Sequence, residues 1–106
     1  MRRTTLFASA LLSAAVGCSS HRHAVHGGHV DMYLMAPQAR SVVLVVSGNP
    51  FQRVPGERDT FGMWKATVNR VDPFTYFYLV DGQTVLPDCR MREHDDFGSN
   101  NCVFSP

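Results

Sequence analysis

The chain has 106 residues, which bounds it to one domain, and its formal net charge at pH 7 is +1. Its ten basic and nine acidic residues are mixed, with no basic stripe that would neutralise phosphates. We therefore expect no nucleic-acid partner.

The first seventeen residues have the composition of a signal peptide. Arg2-Arg3 gives a positive start, and the apolar run Leu6–Val16 is too short to span a membrane as a helix. Ala15-Val16-Gly17-Cys18 then resembles the lipobox of bacterial lipoproteins, in which the cysteine is lipidated and becomes the new N-terminus. We expect lipidation of Cys18 and an envelope location, with Ser19 favouring the outer membrane facing the periplasm. An ordinary secretory signal cut nearby is the alternative.

Two cysteines remain, Cys89 and Cys102. Exported chains occupy compartments where disulfides persist, and a domain this small gains from a covalent link. We predict a disulfide between them, which would close a loop of about 14 residues and add roughly 3 kcal/mol in the chain-entropy model. Two free thiols or a metal-binding pair are the alternatives.

Residues 18–29 are predicted to be a flexible, histidine-rich tether between the lipid and a domain at residues 30–106. Ser19–Gly28 has little to bury and ends in two glycines. Imidazole suits zinc and copper, so a metal-capturing tether is one hypothesis, although HxH on a mobile chain fixes no geometry. The alternative is a solvated segment. The histidines concerned are His21, His23, His26 and His29.

Phe74–Gly82, FTYFYLVDG, is the densest β-forming run, and both of its faces are apolar. Such a strand belongs inside a sandwich rather than at a solvated edge, and Asp81-Gly82 predicts a type I′ hairpin turn. On Met63–Val68 the alternation puts Trp64 on the core face. Residues 51–61 and 87–100 are predicted to be loops. The predicted strands are Val30–Met35, Ser41–Val46, Met63–Val68, Phe74–Val80, Thr84–Leu86 and Asn101–Phe104.

Five to seven short strands at this spacing, with no helical periodicity after the signal peptide, predict an all-β fold. The spacing is typical of an immunoglobulin-like sandwich.

Five segments occur in an order that is familiar from a known family: Val30–Arg40, Ser41–Gly48, Arg58–Trp64, Tyr76–Gly82 and Asp95–Val103. Their order resembles the carbohydrate-binding module 48 family, which includes the glycogen-binding domain of AMP-activated protein kinase and the N-terminal domains of isoamylase-type enzymes. This resemblance implies an early-set, immunoglobulin-like sandwich that binds α-glucan and is not itself catalytic.

The family binds sugar rings on two exposed tryptophans, and both positions differ here. The first lies in the loop that here reads Asn49–Arg53, and the second follows the Asp-Gly turn, where this chain has Gln83 and Thr84. Phe51 is a substitute platform or a hydrophobic plug. The candidate ligand-binding residues implied by the resemblance are Phe51, Arg53, Gln83, Thr84 and Asn101.

No nucleophile, acid–base pair or phosphate-binding loop stands out, so we expect no enzyme activity and no cofactor. The sequence favours a non-catalytic envelope lipoprotein whose domain acts as a protein-interaction or structural module. The alternatives are an α-glucan-binding module and the metal-capturing tether. The expected partners are the membrane, through the lipid, and an envelope protein or glycan.

Overall fold

The computed structural model describes residues 21–94 and 100–106, and within them the protein is all-β, as predicted. No helix in these residues is long and apolar enough to cross a membrane. The predicted signal peptide, Cys18 and the start of the Asp95–Val103 motif lie outside the described residues. The strands are β1 (His21–His26), β2 (His29–Met35), β3 (Val42–Val46), β4 (Gln52–Pro55), β5 (Glu57–Arg58), β6 (Met63–Val68), β7 (Phe74–Val80), β8 (Gln83–Val85), β9 (Arg92–His94) and β10 (Asn100–Phe104).

The strands form two antiparallel sheets. The four-stranded sheet has the order β1-β2-β6-β5. The six-stranded sheet has the order β4-β3-β7-β10-β9, and β8 pairs with β7 beside this path. The sandwich predicted from the strand pattern is therefore confirmed, with β7 in a central position and not at an edge.

The core lies between the sheets and follows the period-two alternation of the strands. Trp64 is 8% exposed, so the prediction that it faces the interior is confirmed. Its indole Nε1 donates a hydrogen bond of 3.0 Å to the carbonyl oxygen of Ala36. The four-stranded sheet contributes Val30, Met32, Leu34, Trp64, Ala66 and Val68, and the six-stranded sheet contributes Val42, Leu44, Val46, Phe74, Tyr76, Tyr78, Cys102 and Phe104.

The predicted hairpin after β7 is present. Asp81 and Gly82 have φ values of 51° and 83°, the left-handed conformation that a two-residue turn of this kind needs. The Asp81 carboxylate also accepts hydrogen bonds from the backbone N–H groups of Arg40 (2.7 Å) and Ser41 (2.9 Å). These bonds lower the pKa of Asp81 and tie the turn to the start of β3.

The described residues contain more strands than the five to seven predicted. Strands β4, β5 and β9 lie in segments expected to be loops, because their side chains are mostly exposed and show no apolar alternation. Each pairs along the backbone with a neighbouring strand, β4 with β3, β5 with β6 and β9 with β10. These three strands are held by backbone hydrogen bonds and bury no apolar face. Such bonds do not depend on the side chains, so the sequence pattern does not predict them.

The prediction of a flexible tether at residues 18–29 is wrong for residues 21–29, which form a β-hairpin arm with the start of β2. His21–His26 is an edge strand that pairs with β2 over its whole length, from His21↔Leu34 to His26↔His29. The turn between the strands uses Gly27, at φ +59°. Polar residues form this strand because the imidazoles of His21 and His23 pack on aromatic rings of the opposite sheet, as described below.

The predicted disulfide is confirmed. Cys89 and Cys102 are joined, with their Cα atoms 5.9 Å apart. Cys102 is fully buried in β10, so the bond fixes the segment before β9 to the last strand of the six-stranded sheet.

Candidate binding surfaces

The outer face of the six-stranded sheet, the face turned away from the four-stranded sheet, is defined here by three rows of side chains. Strand register gives the rows, because directly paired residues point to the same face. The rows are Pro55–Val43–Leu79–Thr84, Arg53–Val45–Phe77 and Thr75–Val103.

The centre of this outer face is apolar and the periphery is polar. Val45 is only 6% exposed, and Val43, Phe77, Leu79 and Val103 are half-buried. The sequence predicted that both faces of β7 are apolar, and the structure shows that its second face forms the middle of this surface.

Three of the five candidate ligand-binding residues belong to this outer face. Arg53 pairs with Val45, and Thr84 pairs with Leu79. Asn101 lies two residues before Val103 on β10 and is half-buried. All three occupy positions around the apolar centre.

The other two candidates have different positions. Gln83 pairs with Val80, so it points to the opposite face of β8 and is exposed. Phe51 immediately precedes β4 and is 64% exposed, so it does not plug the core. It lies two residues before Arg53. The apolar residues between these positions were not predicted to belong to a binding surface, because the same residues also suit a strand buried on both faces.

A cleft of about 470 Å³ lies at the edge of the sandwich. Strand β1 supplies His21 and His23, and the aromatic residues Tyr76 and Phe104 line it from the six-stranded sheet. The segment held by the disulfide completes the lining with Asp88, Cys89, Arg90 and Met91. The sequence did not predict this cleft, because β1 was expected to be a tether.

The imidazoles of β1 are held by aromatic contacts. The His21 ring lies 5.7 Å from the Tyr76 ring and 5.5 Å from the Tyr78 ring, centroid to centroid. Nε2 of His21 and the Tyr78 hydroxyl share a hydrogen bond of 3.1 Å. The His23 ring is edge-on to Phe104 at 5.1 Å. Through these contacts the side chains of His21 and His23 pack on the core side of the sandwich, although the strand is rich in histidine.

Burial shifts the ionisation of this cluster. Loss of hydration and, to a smaller extent, the nearby His23 lower the pKa of His21 from 6.5 to about 4. Burial also raises the pKa of Tyr76 to about 12 and that of Tyr78 well above 10.0. At neutral pH the cluster is therefore an uncharged imidazole between two uncharged phenols.

The four candidate metal-binding histidines do not form one group. His21 and His23 share one face of β1, while His26 and His29 are a cross-strand pair beside the Gly27 turn. Across residues 21–94 and 100–106, no three His, Cys, Asp or Glu side chains converge on one point as a metal site.

No protein-family model matches the chain. No curated protein matches it either.

Solved structures do share its fold. A pullulanase from Group B Streptococcus superposes with a TM-score of 0.61 at 16% identity, over 82% of this chain and 14% of its own. The catalytic module of the pneumococcal glycogen-degrading virulence factor SpuA gives 0.63 at 19% identity, over 81% of this chain and 16% of its own. A Paenibacillus barengoltzii pullulanase, solved with maltotetraose, superposes with a TM-score of 0.59 at 21% identity, over 76% of this chain and 14% of its own.

These likenesses show the fold alone, because the identities are low. The chain spans about one seventh of the length of these enzymes, so it matches one small β-sandwich domain within each.

Proposed function

We propose that this domain is a non-catalytic binding module of the carbohydrate-binding module 48 type, whose outer face now binds a protein partner. The observation that carries the proposal is the anatomy of that face. An apolar centre surrounded by polar side chains is the usual arrangement of a protein–protein contact. The apolar centre is the group Val43, Val45, Phe77, Leu79 and Val103, and the polar periphery includes Arg53, Thr84 and Asn101.

The position of the tryptophan supports a protein partner over a sugar. Sugar platforms in the family are exposed tryptophans, and Trp64, the one tryptophan of the chain, is buried and hydrogen-bonded. We therefore assign the outer face, with its apolar centre, to the binding of a polypeptide surface.

We propose that the protein is located in the cell envelope. The lipobox-like sequence before Cys18 supports lipid attachment, which would hold the domain at a membrane surface within reach of an envelope protein. Replacement Cys18→Ala in the full chain should abolish radiolabelled lipid incorporation and leave the precursor uncut. Normal processing of this variant would assign the chain to an ordinary signal peptidase.

Affinity capture from envelope extract tests the protein-binding role. Leu79→Arg places a charge in the apolar centre, and Lys65→Glu is the matched control on the exposed side of the four-stranded sheet. We expect wild type and Lys65→Glu to retain the same partner and Leu79→Arg to lose it, with all three folded by circular dichroism. Equal capture by all three variants would contradict the proposal.

A second candidate function is α-glucan binding by the same face. It is favoured by Phe51, an aromatic ring 64% exposed and two residues from Arg53 at the edge of the face. It is also in keeping with the fold neighbours, one of which was solved with maltotetraose. Titration with maltoheptaose, followed by amide shifts in NMR spectra, separates the two functions. Saturable shifts near Phe51 and Asn101 that disappear in Phe51→Ala would establish glucan binding.

A further inference from the structure

We infer that the tip of the β1–β2 hairpin binds a divalent transition-metal ion of the kind that imidazole prefers, such as Zn²⁺, Ni²⁺ or Cu²⁺. The proposed ligands are His26 and His29, named here the hairpin-tip pair. This site is separate from the outer face, because it belongs to the other sheet.

The geometry of the pair suits a shared ion. His26 and His29 are direct cross-strand partners, and their ring centroids are 5.5 Å apart with the rings tilted by 33°. Metal–nitrogen bonds of about 2.0–2.1 Å allow two imidazole centroids on one ion to lie up to about 6 Å apart. The observed separation is within this range.

The hairpin supplies the rigidity that a mobile tether lacks. All six residues of β1 pair with β2, and Gly27 adopts φ +59° in the turn. The His26 side chain is 55% exposed, and a Cβ atom at Gly27 or Gly28 would meet no atom within 4 Å, so the tip is accessible to an ion with its water ligands. The two imidazoles are therefore held close together before the ion arrives.

A buried carboxylate orients one of the two ligands. Asp31 is 8% exposed, and its Oδ2 lies 3.5 Å from Nε2 of His26. Its other oxygen accepts a hydrogen bond of 2.6 Å from the Thr67 hydroxyl, which fixes the carboxylate. A proton on Nε2 that faces Asp31 leaves the lone pair of Nδ1 for the metal. Carboxylate–histidine–metal arrangements of this kind are common in metal sites.

The preference for soft or borderline ions follows from the donors. Neutral imidazole binds copper, nickel and zinc, whereas magnesium and calcium take oxygen ligands. Because three protein ligands do not converge in the described residues, water completes the coordination sphere. The site is an open, exchangeable one and not a closed structural centre.

Calorimetric titration of the 106-residue chain carrying Cys18→Ser, which removes the one thiol outside the disulfide, with ZnCl₂ and CuCl₂ tests the inference. We expect one saturable site, tighter for Cu²⁺ than for Zn²⁺ and absent for MgCl₂. His26→Ala and His29→Ala should each abolish saturation, while the matched control His94→Ala, an exposed histidine of β9, should leave it unchanged.

The role of Asp31 has its own measurement. Asp31→Asn should weaken Zn²⁺ binding about ten-fold, as loss of an outer-shell carboxylate does elsewhere. NMR spectra of the imidazole groups should show Zn²⁺ shifting His26 and His29 and not His23. Binding that persists in His26→Ala, shifts confined to His21 and His23, or no binding of either ion would each overturn the inference.

Discussion

Trp64 is the residue whose position has the largest consequence for what this domain binds. An indole on the surface would offer a platform for a sugar ring, whereas an indole in the core only supports the fold. The structure places it in the core, with 8% of its surface exposed and its Nε1 bonded to the Ala36 carbonyl. The neighbouring core residues Ala66 and Val68 share its face of β6.

Replacement of Trp64 should therefore destabilise the fold. Trp64→Ala leaves a large cavity and removes the indole hydrogen bond to the Ala36 carbonyl, and we expect a loss of about 3–5 kcal/mol in the free energy of unfolding. Urea titration followed by circular dichroism measures this loss. The wild-type tryptophan emission should be blue-shifted and unaffected by maltoheptaose.

Phe51→Ala is the matched control for that experiment. Phe51 is 64% exposed, so its removal should change stability by no more than about 0.5 kcal/mol. A red-shifted emission quenched by maltooligosaccharide, with Trp64→Ala still stable, would show that Trp64 is a surface platform.

Two glycines offer a paired test of close packing. Gly62 has φ +87°, and a Cβ atom built there would lie 2.5 Å from the Cβ of Pro37. Gly82 has nearly the same φ, +83°, but a Cβ there would meet nothing within 4 Å. Both alanine variants carry backbone strain, and only Gly62→Ala adds a clash.

We expect Gly82→Ala to lower the unfolding free energy by about 1 kcal/mol and Gly62→Ala to lower it by more. Thermal unfolding of the two variants side by side measures the difference. Equal melting temperatures would mean that the segment containing Pro37 moves away freely.

At the scale of elements, β1 shows what a sequence pattern leaves out. Four of its six residues are histidine or arginine, and Ala24 and Val25 point to opposite faces, so the sequence shows no apolar face of the kind that predicts a strand. The strand forms because ring–ring contacts replace apolar burial, with His21 on Tyr76 and Tyr78. On its other side the Arg22 guanidinium lies 4.2 Å from the centre of the Tyr33 ring. These partners are distant in sequence, so local reasoning predicted a tether.

The packing of His21 predicts a specific dependence of stability on pH. Its folded pKa is about 4, below the ordinary 6.5, so the unfolded chain binds the proton more readily. Stability should therefore fall as pH decreases from 6.5 towards 4. Urea unfolding at several pH values should show a smaller fall for His21→Phe than for wild type.

His94→Phe is the control for this experiment, because His94 is an exposed residue of β9. It should keep the wild-type pH dependence. The same pH profile for His21→Phe and wild type would contradict the burial of His21 against the tyrosines.

The disulfide is the covalent element of the six-stranded sheet. It joins Cys89 to the buried Cys102 across 13 positions of sequence. Reduction, or the double variant Cys89→Ala/Cys102→Ala, should cost roughly 3 kcal/mol of unfolding free energy. Urea unfolding with and without reductant measures it. The double variant should not respond to reductant, and a wild-type midpoint unaffected by reductant would contradict the stabilising role.

The strands with an apolar face were predictable from the sequence, and those held by backbone pairing were not. Strands β2, β3, β6, β7, β8 and β10 appear within one or two residues of their predicted bounds. Strands β4, β5 and β9 bury little, so no alternation marks them. For the outer face, the family resemblance pointed to Arg53, Thr84 and Asn101. The apolar centre could not be predicted, because Phe77 and Leu79 suit a buried core equally well.

For the whole molecule, the two sheets have different roles in this account. The four-stranded sheet contains the buried tryptophan and the hairpin-tip pair, with Arg22 stacked on Tyr33 at its exposed side. The six-stranded sheet contains the disulfide and the apolar outer face. Partner binding is thus assigned to one side of the sandwich and ion binding to one corner of the other.

Site-specific photo-crosslinking in the native host tests the central claim most directly. A benzophenone amino acid replaces Arg53, at the periphery of the outer face, or Lys65, on the exposed side of the four-stranded sheet. We predict one protein adduct from position 53, absent from position 65 and unaffected by maltoheptaose. No adduct from position 53, or one that maltoheptaose removes, would contradict protein binding by the outer face.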